Sequence, residues 1–447
     1  MIYKQAINPR SSIVINMFIN KMKTNRLWLC VRLKHKVNKQ NEEIQTEKST
    51  KSAPDVMSYL ESNEEYKDII PILPKALLKK YKTPDRMYII NKNTARDIAD
   101  TIKDHFEKHA PIVEVNPGLG FLTDAILQCQ TNPVHLYESS NYFSSFLNDL
   151  KQKYPERIKY KNADFFGMWK LAFQDKMDDG NRIKELLGDL ATENTGRKLK
   201  IVGAMPGLSF VRHLINTIVF HNTTNQLGRP DLFIIIPVHH YEFLTDSLVE
   251  FGKHKSVPSL FQTLFYSRVL KKVPKAHFLP WIYPLSKKVS VIDDHFLYLV
   301  NITQKETLPC PPDYLPLLWY FFKPQTFSKT SRVIPVLEQW IPGCGVWLIT
   351  GQDPPDINKD IAPGPNDAKL PHMTIFTQFG DLTLQQKITV FKRFVSWPEF
   401  EQCPFRAAIE NNLPKFAVPL DAEIKSSLES NIDELEHSDS ETDHETV

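Results

Sequence analysis

One stretch decides the fold of this chain: Val113-Glu114-Val115-Asn116-Pro117-Gly118-Leu119-Gly120-Phe121-Leu122-Thr123. Its apolar beginning predicts a buried β-strand, and the residues from Thr123 onward open a helix. The turn between them has the spacing Asn116-x-Gly118-x-Gly120, which is one glycine short of a three-glycine nucleotide loop. Asparagine is the best substitute for glycine where φ is positive. The stretch therefore predicts a turn whose backbone N–H groups can approach a ligand closely.

Two acidic residues follow this turn at the ends of further strands. The second predicted strand, Val134-His135-Leu136-Tyr137-Glu138, ends in an acid. It stands about 20 residues after the turn, where a carboxylate suits ribose hydroxyls. The third predicted strand, residues 158–166, contains Asp164, which can meet an adenine amino group beside an aromatic ring. Either acid alone fits a solvated strand end equally well, but the ordered series favours a nucleoside-binding site.

Further strand signals complete an α/β pattern. A fourth strand covers residues 199–203, a fifth covers 232–238 and a last one covers 295–302, with helical stretches between them. Such alternation predicts a mostly parallel sheet covered by helices. His239 and His240 extend the fifth strand, and neighbouring residues of a strand point to opposite faces. We therefore expect no metal site at this pair.

The order of these motifs resembles a known family. The series E-V-N-P-G-L-G-F-L-T, then Y-E-S, then N-A-D-F-F is similar to the ribosomal RNA adenine dimethyltransferase family, and more closely to its mitochondrial branch, mitochondrial transcription factor B. The resemblance covers roughly residues 85–300 and extends more loosely to about residue 410. It implies a class I S-adenosylmethionine-dependent methyltransferase fold, which is Rossmann-like, with a smaller C-terminal helical domain.

The resemblance also implies a binding site for S-adenosyl-L-methionine. The implied cofactor-binding residues are Ile89, Glu114, Asn116, Gly118, Glu138 and Asp164. Ile89 belongs to residues 86–91, a lead-in segment that passes the methionine end of the cofactor. Methylating members usually carry a Gln-Asn pair in this segment, and this chain does not. We therefore expect S-adenosyl-L-methionine to bind more weakly than it does in methylating members. In the limiting case, its binding is vestigial.

The catalytic motif departs further from the family. Its enzymes carry an Asn-Leu-Pro-aromatic tetrapeptide after the fourth strand. There, oxygen atoms grip the exocyclic amine of an unstacked adenine, and an aromatic face holds the base. This chain has Ala204-Met205-Pro206-Gly207 at that place. Ala204 has no amide oxygen and Gly207 has no ring, so we expect methyl transfer to be weak or lost and assign no catalytic residue.

A degenerate catalytic motif on this scaffold resembles the transcription-dedicated type of the mitochondrial branch. The implied role is to join the mitochondrial RNA polymerase and help it melt mitochondrial promoter DNA in the matrix nucleoid. One alternative is an active dimethyltransferase of adenines in mitochondrial small-subunit ribosomal RNA, which would make that RNA a partner. Another is a NAD-dependent oxidoreductase built on the same strand–turn–helix unit. It is disfavoured because no hydride-transfer constellation is visible.

The two ends of the chain differ sharply in charge. Residues 1–40 contain nine Lys and Arg and no acid, a composition typical of a mitochondrial transit peptide or, alternatively, of a basic disordered arm. Residues 41–70 are largely polar and predict a linker. Residues 421–447 hold ten acids against one lysine, which predicts a self-repelling, disordered tail.

One central stretch is strongly basic. Residues 251–292 contain eight Lys and Arg, several aromatic residues and no acid. This mixture suits a surface where phosphates meet ammonium groups and unpaired bases stack. The predicted nucleic-acid contacts are Lys271, Lys272, Lys275, Lys287 and Lys288. The alternative is that the aromatic residues belong to the core and the lysines only decorate strand ends.

Composition sets the remaining limits. The 447 residues, 42% hydrophobic and 24% charged, suffice for two domains. We place a methyltransferase-like domain at 71–305 and a helical domain at 306–420, because prolines cluster after Thr303. No apolar run reaches the roughly 18 residues of a membrane span, so we expect no membrane partner. Five scattered cysteines show no metal-like pairing and indicate a reducing compartment.

Overall fold

A computed structural model provides the structure of most of the chain. It describes residues 55–108, 110–191, 198–220, 227–245, 256–283, 294–323, 328, 330–351 and 356–416, with side chains as far as residue 410. The predicted transit peptide, the predicted acidic tail, Lys287 and Lys288 lie outside the described residues. What the sequence indicates for them therefore stays a prediction.

One seven-stranded sheet runs through the centre of the described residues. In chain order its strands are β1 (Ile112–Val115), β2 (Val134–Tyr137), β3 (Ile158–Lys161), β4 (Lys200–Ala204), β5 (Asp231–Pro237), β6 (Phe265–Pro274) and β7 (Phe296–Gln304). Their order across the sheet is β3-β2-β1-β4-β5-β7-β6. The five strands from β3 to β5 are mutually parallel, and β7 runs antiparallel to both of its neighbours. The α/β sheet predicted from the sequence is confirmed.

Fourteen α-helices accompany the sheet in the part of the chain that the structure describes. They are α1 (Val56–Ser62), α2 (Lys92–Ile102), α3 (Phe121–Cys129), α4 (Ser144–Lys153), α5 (Met168–Asp178), α6 (Arg182–Leu187), α7 (Ser209–Val219), α8 (Val238–Thr245), α9 (Ser256–Leu264), α10 (Leu315–Phe321), α11 (Val333–Trp340), α12 (Trp347–Thr350), α13 (Leu384–Val395) and α14 (Pro404–Phe416). Among these described helices, none combines the length and the apolar character that crossing a bilayer requires.

Strand β1 owes its central position to its sequence. All four of its residues are buried, as expected for an interior strand of a parallel sheet that is covered on both faces. Successive side chains enter different apolar layers, because Val113 and Val115 belong to one hydrophobic cluster and Ile112 to the other. Glu114 lies on the same face as Ile112. A carboxyl group in such a strand is unusual and calls for a partner or a function.

The turn after β1 adopts the backbone that its sequence predicts. Asn116, Gly118 and Gly120 all have positive φ, at 57°, 57° and 75°. A side chain at Gly120 would also collide with Leu150 of α4. Glycine is therefore required there both for its backbone conformation and for space, and α3 begins immediately afterwards.

Two short strand pairs hold the lead-in segment and the residues just before it. Tyr88–Ile89 pairs antiparallel with Phe278–Leu279, and Lys80–Tyr81 pairs parallel with Trp281–Ile282. The backbone N–H of Ile90 also donates to the carbonyl of His277 over 2.9 Å. The residues after β6 thus fix the position of the segment before α2.

The stretch predicted to be a linker contains ordered structure from α1 onward. Val56 and Leu60, one helical turn apart, are fully buried, and Tyr66 is 1% exposed. Tyr59 packs on Trp281 with ring centroids 5.3 Å apart. A few apolar side chains therefore anchor this segment, although its average composition is polar.

Helices α10 to α14 pack onto the same core as the sheet. Val300 of β7 shares one hydrophobic cluster with Leu317 of α10 and Phe391 of α13. Helix α13 begins after Thr383, which forms a capping box with Gln386, as the Thr-x-x-Gln spacing predicts. Because this cluster extends across residue 306, the division into a 71–305 domain and a 306–420 domain stays a prediction.

Candidate active site

Four of the candidate residues lie along one edge of the sheet. Asn116 follows β1, Glu138 follows β2, Asp164 lies three residues beyond β3, and Ala204 ends β4. Parallel strands carry their carboxyl ends to the same edge, and open α/β sheets bind ligands where the strand order reverses. That reversal lies between β1 and β4, so the candidate site occupies the expected place.

Gly118 packs against an aromatic ring. A Cβ atom added to Gly118 would lie 2.8 Å from Cδ1 of Tyr88, so no larger residue fits without a shift of that ring. The Gly118 N–H donates to Oε2 of Glu138 over 3.3 Å. The glycine thus brings its backbone close to both a ring and a carboxylate.

Glu138 is fully buried beside the turn. Its Oε1 accepts from the Ser140 N–H at 2.8 Å and from the Tyr88 hydroxyl at 3.4 Å. Burial raises the pKa of Glu138, and the two backbone N–H groups and the nearby Arg86 guanidinium oppose this rise. Glu138 is therefore an oriented hydrogen-bond acceptor whose oxygens all have donors within the chain.

A narrow cavity borders the turn. Its lining includes Ile89, Glu114, Asn116, Ala204 and Phe278. Oε2 of Glu114 and Oδ1 of Asn116 are buried and have no hydrogen-bond partner among the described residues. A buried acceptor without a partner is unfavourable. These two oxygens therefore suit a ligand that donates hydrogen bonds.

Burial favours the neutral form of the Glu114 carboxyl. Its pKa is raised to about 8, chiefly by burial and further by the Glu138 charge, while the Thr123 hydroxyl opposes the rise. A cation in the cavity would favour the ionised carboxylate, because an opposite charge nearby stabilises it. Glu114 can therefore respond to a positively charged ligand.

The tetrapeptide Ala204-Met205-Pro206-Gly207 lies at the carboxyl end of β4. Ala204 lines the cavity, and the Met205 N–H continues the ladder to the Ile235 carbonyl over 2.8 Å. A Cβ atom added to Gly207 would meet no atom within 4 Å. Sterics therefore do not impose glycine at residue 207. The tetrapeptide lacks an amide oxygen at residue 204 and a ring at residue 207.

His239 and His240 lie at the start of helix α8, so the prediction that they extend a strand is wrong. Strand β5 ends at Pro237, and the helix begins with the next residue. The error arises because Val238 prolongs the apolar run of the strand, although the helix already begins at this residue. The two rings are 4.1 Å apart, and burial lowers the pKa of His239 to about 4. Over the described ranges, no three His, Cys, Asp or Glu side chains group as metal ligands.

Asp164 folds back onto its own loop. Its Oδ1 accepts the Gly167 N–H over 2.9 Å, and a side chain at Gly167 would collide with this carboxylate. The following Phe165 is fully buried. Asp164 therefore stands at the correct edge of the sheet with one oxygen already engaged, and its contact with an adenine stays a prediction.

The lysines around β6 do not form one surface. The closest partners are Asp97 for Lys271 at 3.0 Å, the Tyr298 ring for Lys272 at 5.7 Å, and Asp294 for Lys275 at 2.8 Å. Adjacent residues of a strand point to opposite faces, so Lys271 and Lys272 do not share a groove. Lys275 lies just beyond the carboxyl end of β6, at the edge that carries the candidate site. Nucleic-acid contact by these lysines stays a prediction.

Sequence reasoning misses Tyr88 and Ser140. Tyr88 adjoins the predicted Ile89, but its hydroxyl meets an acid 50 residues away, which no spacing rule indicates. Ser140 acts through its backbone N–H, which any residue except proline offers. The one sequence feature that pointed to Tyr88 is its place in the lead-in segment. No sequence feature pointed to Ser140.

The residues of the site have the chemistry that would bind S-adenosyl-L-methionine. However, a side chain of the chain itself already occupies one part of the site. The unpartnered oxygens of Glu114 and Asn116 suit the cationic amine of its methionine part. Glu138 suits its ribose hydroxyls. However, the Tyr88 hydroxyl already lies on Glu138. At the amine end the site thus has two acceptors without a partner among the described residues, and at the ribose end it is filled by Tyr88.

The sheet order β3-β2-β1-β4-β5-β7-β6 with antiparallel β7, together with the glycine turn and the acid after β2, defines a class I S-adenosylmethionine-dependent methyltransferase fold. The sequence pattern of the family described as ribosomal RNA adenine dimethylase matches residues 79–324. The chain belongs to this family.

The chain is also similar to several named proteins. The chain is 33% identical over 401 residues to dimethyladenosine transferase 2, mitochondrial, of Drosophila melanogaster, covering 83% of this chain and 88% of the relative. The 23S rRNA methyltransferase ErmE aligns at 13% identity over 69% of this chain and 99% of its own, with a TM-score of 0.40. A dimethyladenosine transferase from Plasmodium falciparum aligns at 12% identity over 69% and 97%, also with a TM-score of 0.40. The family match and the curated relative confirm the predicted resemblance.

Proposed function

We propose that this chain is a mitochondrial transcription initiation factor that assists the mitochondrial RNA polymerase in melting promoter DNA. It works in the mitochondrial matrix, in the nucleoid, on a methyltransferase scaffold with a degenerate catalytic motif. The observation that carries the proposal is that Ala204 and Gly207 offer neither an amide nor a ring at the carboxyl end of β4, beside the candidate site. The mitochondrial name of the Drosophila melanogaster relative supports the compartment.

The missing groups bear directly on the chemistry of methylation. A base that reacts must leave its stack and be held by hydrogen bonds and an aromatic face. Removing one preorganised polar contact raises the transition-state free energy by about 2.7–4 kcal/mol, which slows the reaction by about 10²–10³. This chain lacks both that contact and the face. Methyl transfer is therefore slow, and the scaffold serves another purpose.

Assisting promoter melting requires a surface that binds unpaired DNA. Lys272 is exposed, and Lys275 lies at the carboxyl edge that carries the candidate site. Lys272 lies over the Tyr298 ring and Lys275 pairs with Asp294. A phosphate can compete for both lysines, because exposed cation–π contacts and partly exposed ion pairs are weak. The strand released by melting accordingly lies along this edge, with its phosphates near these lysines.

A second candidate function is active dimethylation of adenines in mitochondrial small-subunit ribosomal RNA, with S-adenosyl-L-methionine as the working cofactor and that RNA as the partner. The observation that favours it is the pair of unpartnered buried oxygens on Glu114 and Asn116, which suits the cofactor's amine. Under the first proposal this end of the site is vestigial.

Runoff transcription on two templates tests the proposed role. One template is a duplex mitochondrial promoter, and the other has the same sequence with the start site already unpaired. With the cognate polymerase, we expect the chain to raise initiation on the duplex by about tenfold or more, which corresponds to about 1.4 kcal/mol of help in opening. The unpaired template should respond little, because it is already open.

The two templates control for each other, and added S-adenosyl-L-methionine should change neither result. Equal stimulation of both templates would show that the chain acts after melting. No stimulation of the duplex would contradict the proposed role altogether.

A further inference from the structure

Tyr88 places a ring and a hydroxyl between the glycine turn and Glu138. Its ring stands so close to Gly118 that an added Cβ would lie 2.8 Å from Cδ1. Its hydroxyl lies 3.4 Å from Oε1 of Glu138. The side chain is buried, with 5% of the residue exposed. Tyr88 is therefore an internal part of the candidate cofactor site.

The two groups that Tyr88 contacts are those that a nucleoside would use. In nucleotide-binding α/β sheets, glycine in this turn lets the ligand approach, and the acid after β2 accepts from ribose hydroxyls. A phenol O–H and a ribose O–H are the same kind of donor toward a carboxylate. Tyr88 thus supplies, from within the chain, the contacts expected of a bound ribose.

The ring is held in this position by its surroundings. The Phe143 ring lies 4.8 Å away, centroid to centroid, and Tyr88 pairs with Leu279 across the short strand pair. A ribose cannot enter between two oxygens that are 3.4 Å apart. Binding of an adenosyl group at Glu138 therefore requires Tyr88 to leave.

We propose that Tyr88 occupies the ribose position of the cofactor site and thereby sets the affinity of this chain for S-adenosyl-L-methionine. The inference rests on the proposed function, in which the cofactor is dispensable. The apparent dissociation constant rises in inverse proportion to the fraction of molecules whose Tyr88 is displaced. The Glu114 and Asn116 oxygens have no hydrogen-bond partner among the described residues. Tyr88 therefore closes only the ribose end of the site.

Calorimetric titration of the full chain with S-adenosyl-L-methionine, and separately with adenosine, tests this. Tyr88→Ala removes both ring and hydroxyl, and we expect it to bind both ligands at least about tenfold more tightly than the wild type. Tyr88→Phe removes only the hydroxyl, and we expect an intermediate gain of about threefold, because the ring still fills the space. Adenosine reports on the ribose end without the methionine part.

Tyr142→Ala is the matched control, because Tyr142 is 46% exposed and touches Phe143 but has no contact with Glu138 among those the structure describes. Its affinity should equal that of the wild type. Folded Tyr88→Ala that binds no more tightly than the wild type overturns the inference. If Tyr88→Ala does not fold, Tyr88→Phe decides, and an unchanged affinity overturns the inference as well.

Failure here is distinct from failure of the proposed function. A wild type that already binds adenosine as tightly as Tyr88→Ala refutes the role of Tyr88 and leaves transcription untouched. A wild type that does not stimulate the duplex promoter refutes the transcription role, whatever the titrations give. The first result is read from binding and the second from transcripts.

Discussion

Substituting Ala204→Asn and Gly207→Phe together should raise the rate of methyl transfer to a ribosomal hairpin by about 100-fold or more. Ala204 ends β4 and lies beside Glu114 at the carboxyl edge of the sheet, so Asn at this position would place an amide at that edge. A side chain at Gly207 meets no atom within 4 Å at its Cβ, so a ring can be added without backbone conflict. The rate is measured with labelled S-adenosyl-L-methionine at saturating concentration.

The matched control is Ala204→Leu with Gly207→Phe. Leucine has nearly the shape of asparagine but no hydrogen-bonding group, so this variant adds the same volume without the amide. It should remain near the wild-type rate. Equal rates for the two double variants, both folded and both binding cofactor, would show that the missing amide is not what limits methylation.

Glu114→Gln should become progressively more stable than the wild type as the pH rises from 4.5 to 8. The folded carboxyl titrates at about 8 rather than at its ordinary 4.5. Over this range the unfolded chain has lost the proton that the folded chain keeps, so wild-type stability falls as pH rises. The loss is on the order of 5 kcal/mol at its upper limit. Glutamine does not titrate, so Glu114→Gln does not lose stability in this way.

Urea unfolding of both proteins at several pH values measures this difference. Below pH 4.5 the two should differ only by a constant offset, and above pH 8 the difference should level off. Glu61→Gln, at an exposed position of α1, is the control and should show no such trend. A difference between Glu114→Gln and the wild type that is the same at every pH would mean that Glu114 has the same pKa in the folded and the unfolded chain, and would contradict the expectation.

The part of the fold that the sequence predicts best is the part with local signals. Strand β1, the turn and α3 follow from an apolar run and from three residues that tolerate positive φ, and all three have it. The acid after β2 is likewise read from its place at a strand end. Each of these features depends on neighbours within a few residues, so no tertiary information is needed.

The features that the sequence does not reveal depend on contacts between distant residues. The Tyr88 hydroxyl reaches Glu138 because the lead-in segment pairs with Phe278–Leu279, and neither spacing nor composition encodes that pairing. Charge counted along the chain also hides which face a lysine occupies. Lys271 and Lys272 are neighbours in sequence but have partners on different elements, α2 and β7.

Helix α1 is a second feature that composition alone does not predict. The segment is polar on average, yet Val56 and Leu60 are fully buried. Two side chains one helical turn apart can fix a short helix when a tertiary surface is available to them. A composition average over thirty residues cannot show this, because it weights exposed and buried positions equally.

The chain belongs to the adenine dimethylase family but has Ala204 and Gly207 where our proposal requires an amide and a ring to hold the target base. The most direct test is single-turnover methyl transfer by the purified wild type to its ribosomal hairpin, at saturating S-adenosyl-L-methionine, beside a bacterial dimethyltransferase on its own hairpin. We expect the wild type to be at least about 100-fold slower. A rate equal to that of the bacterial enzyme would contradict the account.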